Sequence, residues 1–177
     1  MARPRVFISS TFFDLRQVRA DLERFIKQMG YDPVLHERGR VAYGSDKKLE
    51  DYCYREIELC EIVVSIVGGR FGSGSQRDPY SISQIELKTA IEHGKAVYIF
   101  VERSVHSEFG TYLKNKGVKG VVFNFVDNVK VYQFMEEIEA LPKNNPIAPF
   151  ETAQDITDFL KEQWAGLFQR HLQEGAV

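Results

Sequence analysis

The chain has 177 residues, of which 44% are hydrophobic, 27% charged and 12% aromatic, with a formal net charge of −2. That is one domain with an ordinary core, and it excludes a disordered tail, the basic stripe of a nucleic-acid binder and a disulfide-stapled secreted scaffold. No apolar run nears the roughly 20 residues of a bilayer span, and the opening apolar stretch is too short for a signal-peptide core, so a cytoplasmic domain with no membrane or nucleic-acid partner is expected.

Arg5-Val-Phe-Ile-Ser9 reads as a first strand. Leu15, Val18, Leu22, Phe25, Ile26 and Met29 recur at helical spacing, so a helix is predicted over 14–29. A capping-box-like Thr11-x-x-Asp14 would open it and Gly30 would stop it. A second strand is predicted at 32–37, followed by a polar loop through Ser45. The next helix, 46–60, turns Leu49, Tyr52, Cys53, Ile57 and Cys60 inward. Ile62-Val-Val-Ser-Ile-Val67 is continuous and β-branched, the mark of a central strand covered on both faces. A glycine-rich loop, Gly68 to Ser75, leads into a helix over 81–93. Further strands are predicted at 96–101 and 120–124, with helices at 109–116 and 129–141. A proline-rich stretch and a last helix, 152–172, follow.

This alternation predicts an α/β, three-layer, flavodoxin-like fold. Its sheet is five-stranded and mostly parallel, of order 2-1-3-4-5, with an added C-terminal helix. Residues 1–141 form the α/β domain, 142–149 a connector, and 150–177 a helix packed on the same domain. There is no internal repeat.

In that topology a ligand sits beyond the carboxyl ends of the strands, where the order reverses between the first and third. The loops after Ser9 and Val67 should meet there. Ser9, Ser10 and Thr11 offer three hydroxyls, either to hold phosphate or ribose oxygens or as a helix cap with two turn serines. Gly68, Gly69, Gly72 and Gly74 surround Arg70 and Phe71. They let the backbone approach an anion, or they form a surface loop without a ligand; the pattern is neither a Walker loop nor G-x-G-x-x-G.

Stepping about 100° per residue from Ile82 puts Glu86 inside the apolar arc of its helix. A carboxylate there is costly unless it is paired or turned to a cleft. Glu86 is therefore either a structural acid bonded to a loop amide or buried arginine, or a functional group. Arg19 lies inside the apolar stripe of the first helix in the same way. Glu37, at the end of the second strand, is its expected ion-pair partner, with a substrate phosphate as the lesser role. The four histidines are scattered and no His/Cys pair has a zinc spacing, so no metal is expected. Cys53 and Cys60, seven apart on one helical face, suit core packing.

Val6-Phe-Ile-Ser-Ser-Thr-Phe-Phe-Asp-Leu15 with Arg19 resembles the opening signature of a TIR-like bacterial domain family of unknown function. The resemblance continues through Pro33-Val-Leu-His-Glu37, Arg70-Phe-Gly72, the helix from Ser81 to Ala90, and Gly94 to Val101. Members often precede NACHT or related STAND signalling ATPases, which implies self-association or a further signalling domain as a partner. The segment from Ser81 to Val97 is also similar to TIR-type NAD hydrolases and nucleoside 2-deoxyribosyltransferases, which carry a catalytic Glu on this helix. Carried over, Glu86 is that carboxylate. Ser9, Ser10, Thr11 and Ser81 then hold the ligand, with Gly69, Arg70 and Phe71 covering its base or diphosphate. The chain departs from these patterns at Ala96 in place of proline, Ser65 in place of aspartate, and Ile82 in place of Trp or Ser.

The function implied is a TIR-like domain of bacterial immunity or signalling that binds NAD or a related nucleotide, with no other cofactor, and hydrolyses its N-glycosidic bond. The alternatives are a non-enzymatic TIR-like interaction module and a nucleoside deoxyribosyltransferase.

Overall fold

The computed structural model describes residues 3–35, 49–75, 79–144 and 146–175. The elements run β1 (Arg5–Ser10), α1 (Arg16–Gln28), β2 (Asp32–Val34), α2 (Leu49–Glu58), β3 (Ile62–Val67) and α3 (Ile82–Glu92). They continue with β4 (Ala96–Glu102), α4 (Arg103–Lys114), α5 (Lys130–Glu139), β5 (Ile147–Phe150) and α6 (Ala153–Glu174). All four strand pairings are parallel and the order is β2-β1-β3-β4-β5, as in flavodoxin-like folds.

Strand alternation builds the layers. On one face Val6 and Ile8 of β1 and Val64 and Ile66 of β3 pack with Leu22, Phe25 and Ile26 of α1 and Ile156, Leu160 and Trp164 of α6. On the other, Phe7 and Val63 pack with Cys53 and Ile57 of α2, Ile85 of α3 and Phe134 of α5. With each apolar side chain contributing about 1.5–3 kcal/mol on full burial, these faces are the main source of stability. The helix α6 is capped by Thr152 and Asp155, which satisfy each other's backbone amides.

The fifth strand lies elsewhere than expected. Residues 120–124 form no strand: Gly117 and Gly120 adopt left-handed φ of 81° and 82°, and the amides of Asn124 and Phe125 donate to the Glu108 carboxylate. The edge of β4 is taken instead by Ile147–Phe150, which overlaps the end of the stretch expected to be a connector. Its Pro149 fits there because an edge strand has one side with no ladder to donate to; Pro33 sits in β2, the opposite edge. Among the described residues, no helix is long and apolar enough to cross a membrane.

Candidate active site

Ser9 and Ser10 lie within β1, so the pleat sends their side chains to opposite faces. Ser9, buried on the α3 side, donates its hydroxyl hydrogen bond to Glu86 Oε2 at 2.5 Å. Ser10 faces α1, where Arg19 Nη1 donates to its Oγ at 2.7 Å, and Ser10 in turn donates to the Thr11 carbonyl at 2.7 Å. Arg19 is 1% exposed and clamps the end of β1 through this contact. Its expected partner, Glu37, lies outside the described residues.

Thr11 is not a helix cap. The first helix begins after Leu15 without a side-chain cap, because residues 12–15 bend before the helix starts. Thr11 Oγ1 is left buried and without a hydrogen-bond partner among the described residues. The three hydroxyls thus separate into a Glu86 partner, an Arg19 partner and a group turned toward the loops after β3.

A cleft of about 370 Å³ opens here, at the carboxyl ends of β1 and β3. Its polar lining includes Glu86, Thr11, Arg70, Ser83, Asp14 and Asp127, and Phe12 and Phe13 also line it. Glu86 is only 2% exposed, so its carboxylate sits at the floor. The helix carrying it is fixed at its first turn by a reciprocal cap: Ser81 accepts from the Gln84 amide while the Gln84 side chain accepts from the Ser81 amide. That cap also occupies Ser81, which lines an adjoining cavity of about 20 Å³ together with Ser65 and Phe71.

The glycine-rich loop is held from three directions. A Cβ on Gly69 would stand 2.1 Å from the Phe125 carbonyl oxygen, so glycine is what allows this loop to meet the 123–127 segment. Asp127 fastens the meeting by accepting from the Phe71 amide at 2.8 Å and donating its own amide to the Gly69 carbonyl at 2.9 Å. Gly72, at φ 79°, passes over Thr11, whose Cγ2 would lie 2.7 Å from an added Cβ. The loop then pairs back on the start of α3 through Ser75 to Tyr80 and Ile82 to Ser73. Gly69 therefore serves loop docking, while Arg70 faces the cleft.

On the far side of Gly68, Asp14 Oδ2 and Glu102 Oε2 lie 2.9 and 3.3 Å from the place a Cβ would occupy. Burial raises the Glu102 carboxyl above its ordinary range; the Gly69 amide opposes this and the Asp14 charge adds to it.

A family profile matches residues 5–165, nearly the whole α/β body. The chain belongs to the DUF4062 family, a domain of unknown function. No curated protein matches it. Among solved structures, the DUF4062 chain is similar to the CMP N-glycosidase BcmB of Clostridium botulinum, at 14% identity and a TM-score of 0.52. The match covers 90% of this chain and 98% of that one, and it shows a shared fold.

Sequence reasoning about the DUF4062 chain missed Asp127 and Ser83. Asp127 follows no motif and reaches the cleft only because its segment docks on Gly69. Ser83 reads as an ordinary first-turn residue of a helix, and nothing in the sequence marks it as lining a cleft. Cys53 and Cys60 are buried thiols in the core, and burial pushes the Cys60 thiol up to about 12, which leaves it unreactive. Among the described residues no group of three or more His, Cys, Asp or Glu is placed to hold a metal.

Proposed function

We propose that this domain binds a nucleotide in the cleft and hydrolyses its N-glycosidic bond, with Glu86 as the catalytic carboxylate. The observation that carries this reading is a buried glutamate, oriented by Ser9, at the floor of a cleft at the topological switch point of the sheet. Cleavage of a ribosyl–base bond builds positive charge at C1′ and the ring oxygen. A carboxylate fixed below the sugar stabilises that charge, or attacks C1′ directly. The C1′–N bond pair leaves with the base: cytosine also takes up a proton, whereas nicotinamide leaves neutral and the proton from water goes to solvent; water supplies the hydroxyl that ends on C1′, displacing Glu86 where it has attacked. The fold shared with a CMP N-glycosidase supports this reading, as does the resemblance of the α3 segment to TIR-type NAD hydrolases.

NAD or a related nucleotide is the proposed ligand class. A cytoplasmic role in bacterial immunity or signalling, with self-association or a further signalling domain, follows from the same resemblance. Base release from NAD and from CMP, read by chromatography, tests the reaction. Glu86→Gln should lower release by about 100-fold or more, the usual scale for a lost charge-stabilising group. Release that is equal in the variant and the wild type would remove Glu86 from the mechanism.

A second reading, a non-enzymatic interaction module, is favoured by one observation. Beyond the buried Trp164, α6 leaves Phe168 and Leu172 66% and 60% exposed, one turn apart. If the domain only assembles, Phe168→Glu should abolish association, and the wild type should release no base.

A further inference from the structure

We propose that Asp127 is a positioning residue of the cleft, holding Arg70 in place as the contact for a phosphate of the nucleotide. The inference rests on the nucleotide-binding part of the reading above and deepens it: Asp127 acts through Arg70 and touches neither the ligand nor the reacting atoms.

Arg70 lines the cleft, is exposed, and makes no ion pair with a described residue, which leaves its N–H donors to an anion. Its backbone is in a different position. Gly68, Gly69, Gly72 and Gly74 give the segment wide conformational freedom, and a cation on a loose loop loses much of its binding energy to being ordered. Asp127 removes that freedom at the two peptide groups flanking Arg70. Its amide donates to the Gly69 carbonyl at 2.9 Å, and its Oδ1 accepts from the Phe71 amide at 2.8 Å. One residue thus closes both bonds across Arg70, as a facing strand residue would, with a carboxylate oxygen in place of a backbone carbonyl. Both bonds go to loop backbone, so the guanidinium stays available. The Phe71 side chain adds a third anchor: it packs on the cluster that contains Val101, Val105 and Tyr132, with Lys130 Nζ 5.5 Å from its ring centre.

The chemistry of the clasp separates this role from the others open to an acid in a cleft. It needs an acceptor at Oδ1 and a backbone amide, and it needs no charge. Asparagine supplies both, alanine supplies only the amide, and glutamate keeps the charge but moves the acceptor outward by a methylene. An Asp127 that exchanged a proton with the leaving base, or bound the ligand by its charge, would fail as asparagine.

Calorimetric titration with CMP against cytidine, and with NAD against nicotinamide riboside, tests the proposal. It is done in the Glu86→Gln background so that turnover does not deplete the ligand, and thermal shift of the otherwise wild-type chain with the same four ligands covers poor folding of that background. At least one nucleotide should bind about tenfold or more tightly than its nucleoside, the scale of a charge-assisted contact. Arg70→Ala and Asp127→Ala should each abolish that preference, and the two together should do no more than either alone. Asp127→Asn should keep it to within about threefold. Asp127→Glu should lose it, and it replaces the alanine variant if that one folds poorly. Without ligand, exchange of the Phe71 amide should be slow in the wild type and in Asp127→Asn, and about tenfold or more faster in Asp127→Ala. Loss of the preference in Asp127→Asn as complete as in Asp127→Ala would overturn the proposal. So would a preference that survives in a folded Asp127→Ala, a further loss in the double variant, or no preference in either ligand pair. Glu86-dependent base release alongside any of these results would leave the glycosidase reading standing. A preference abolished by Arg70→Ala and Asp127→Ala and kept by Asp127→Asn, with no base release from any nucleotide, would support the role of Asp127 and fail the glycosidase reading instead.

Discussion

At the scale of single residues, the cleft depends on side chains that are absent as much as on those present. Gly69 has an ordinary φ, so its constraint is space: the backbone oxygen of Phe125 stands where its Cβ would be. Backbone cannot swing aside as a flexible side chain can, so Gly69→Ala should destabilise the fold by about 1–3 kcal/mol. Gly74, with nothing within 4 Å of its Cβ position, is the matching control. Gly74→Ala should leave the melting temperature within about a degree of the wild type, the scale of a neutral surface change. Equal melting of the two variants would show that the two loops part at no cost. The same scale explains what the sequence concealed. Glu86 and Arg19 were legible because a charge inside an apolar stripe breaks a pattern that one helix repeats. The different fates of Ser9, Ser10 and Thr11 depend on the pleat and on Leu15 starting the helix late, and no run of three hydroxyls announces that.

Among elements, α4 and the segment after it form the support for the cleft's far wall. Glu108 on α4 accepts from the amides of Asn124 and Phe125 at 2.8 and 2.9 Å and from the Tyr132 hydroxyl at 2.7 Å. Desolvation pushes this carboxyl up, but these donors, with the Asn124 side chain, outweigh it and hold it below the usual carboxylate range. A carboxyl held lower in the folded state than in the unfolded chain stabilises the fold above its unfolded value, near pH 4.3, and loses that contribution as pH falls through its lowered folded value. Glu108→Gln should therefore lower the melting temperature at pH 7. The gap to the wild type should narrow steadily on acidification below about pH 4. A gap independent of pH would mean that the carboxylate's charge contributes nothing. This segment is also where the sequence misled. Val121, Val122 and Phe123 have strand composition, yet Val122 is 84% exposed and the amides beyond it bond a side chain. The true fifth strand carries a proline and only four residues, so its propensity is weak; its place is set by the open edge of β4. The first, third and fourth strands, buried on both faces, were legible because their own composition demanded cover.

For the molecule as a whole, α6 closes the sheet face that α1 leaves open. Trp164 carries that closure, packing on Phe25, Tyr31 and Tyr98 with ring centroids 5.7, 5.0 and 6.4 Å away. Trp164→Ala should cost about 3–5 kcal/mol in a denaturant titration. The chain has one tryptophan, so wild-type emission reports directly on whether α6 is seated. A red shift at denaturant concentrations too low for loss of helical signal would mean that α6 leaves before the rest unfolds. The two outermost strands have a consequence of a different kind. An open sheet normally offers each flank as a template for another chain, which is how many α/β proteins aggregate. Here each flank carries a proline, Pro33 on one side and Pro149 on the other, and both strands are short, at three and four residues. A ladder extended by another chain from either flank would carry a gap at the proline, so the two edges disfavour strand pairing between copies of this domain.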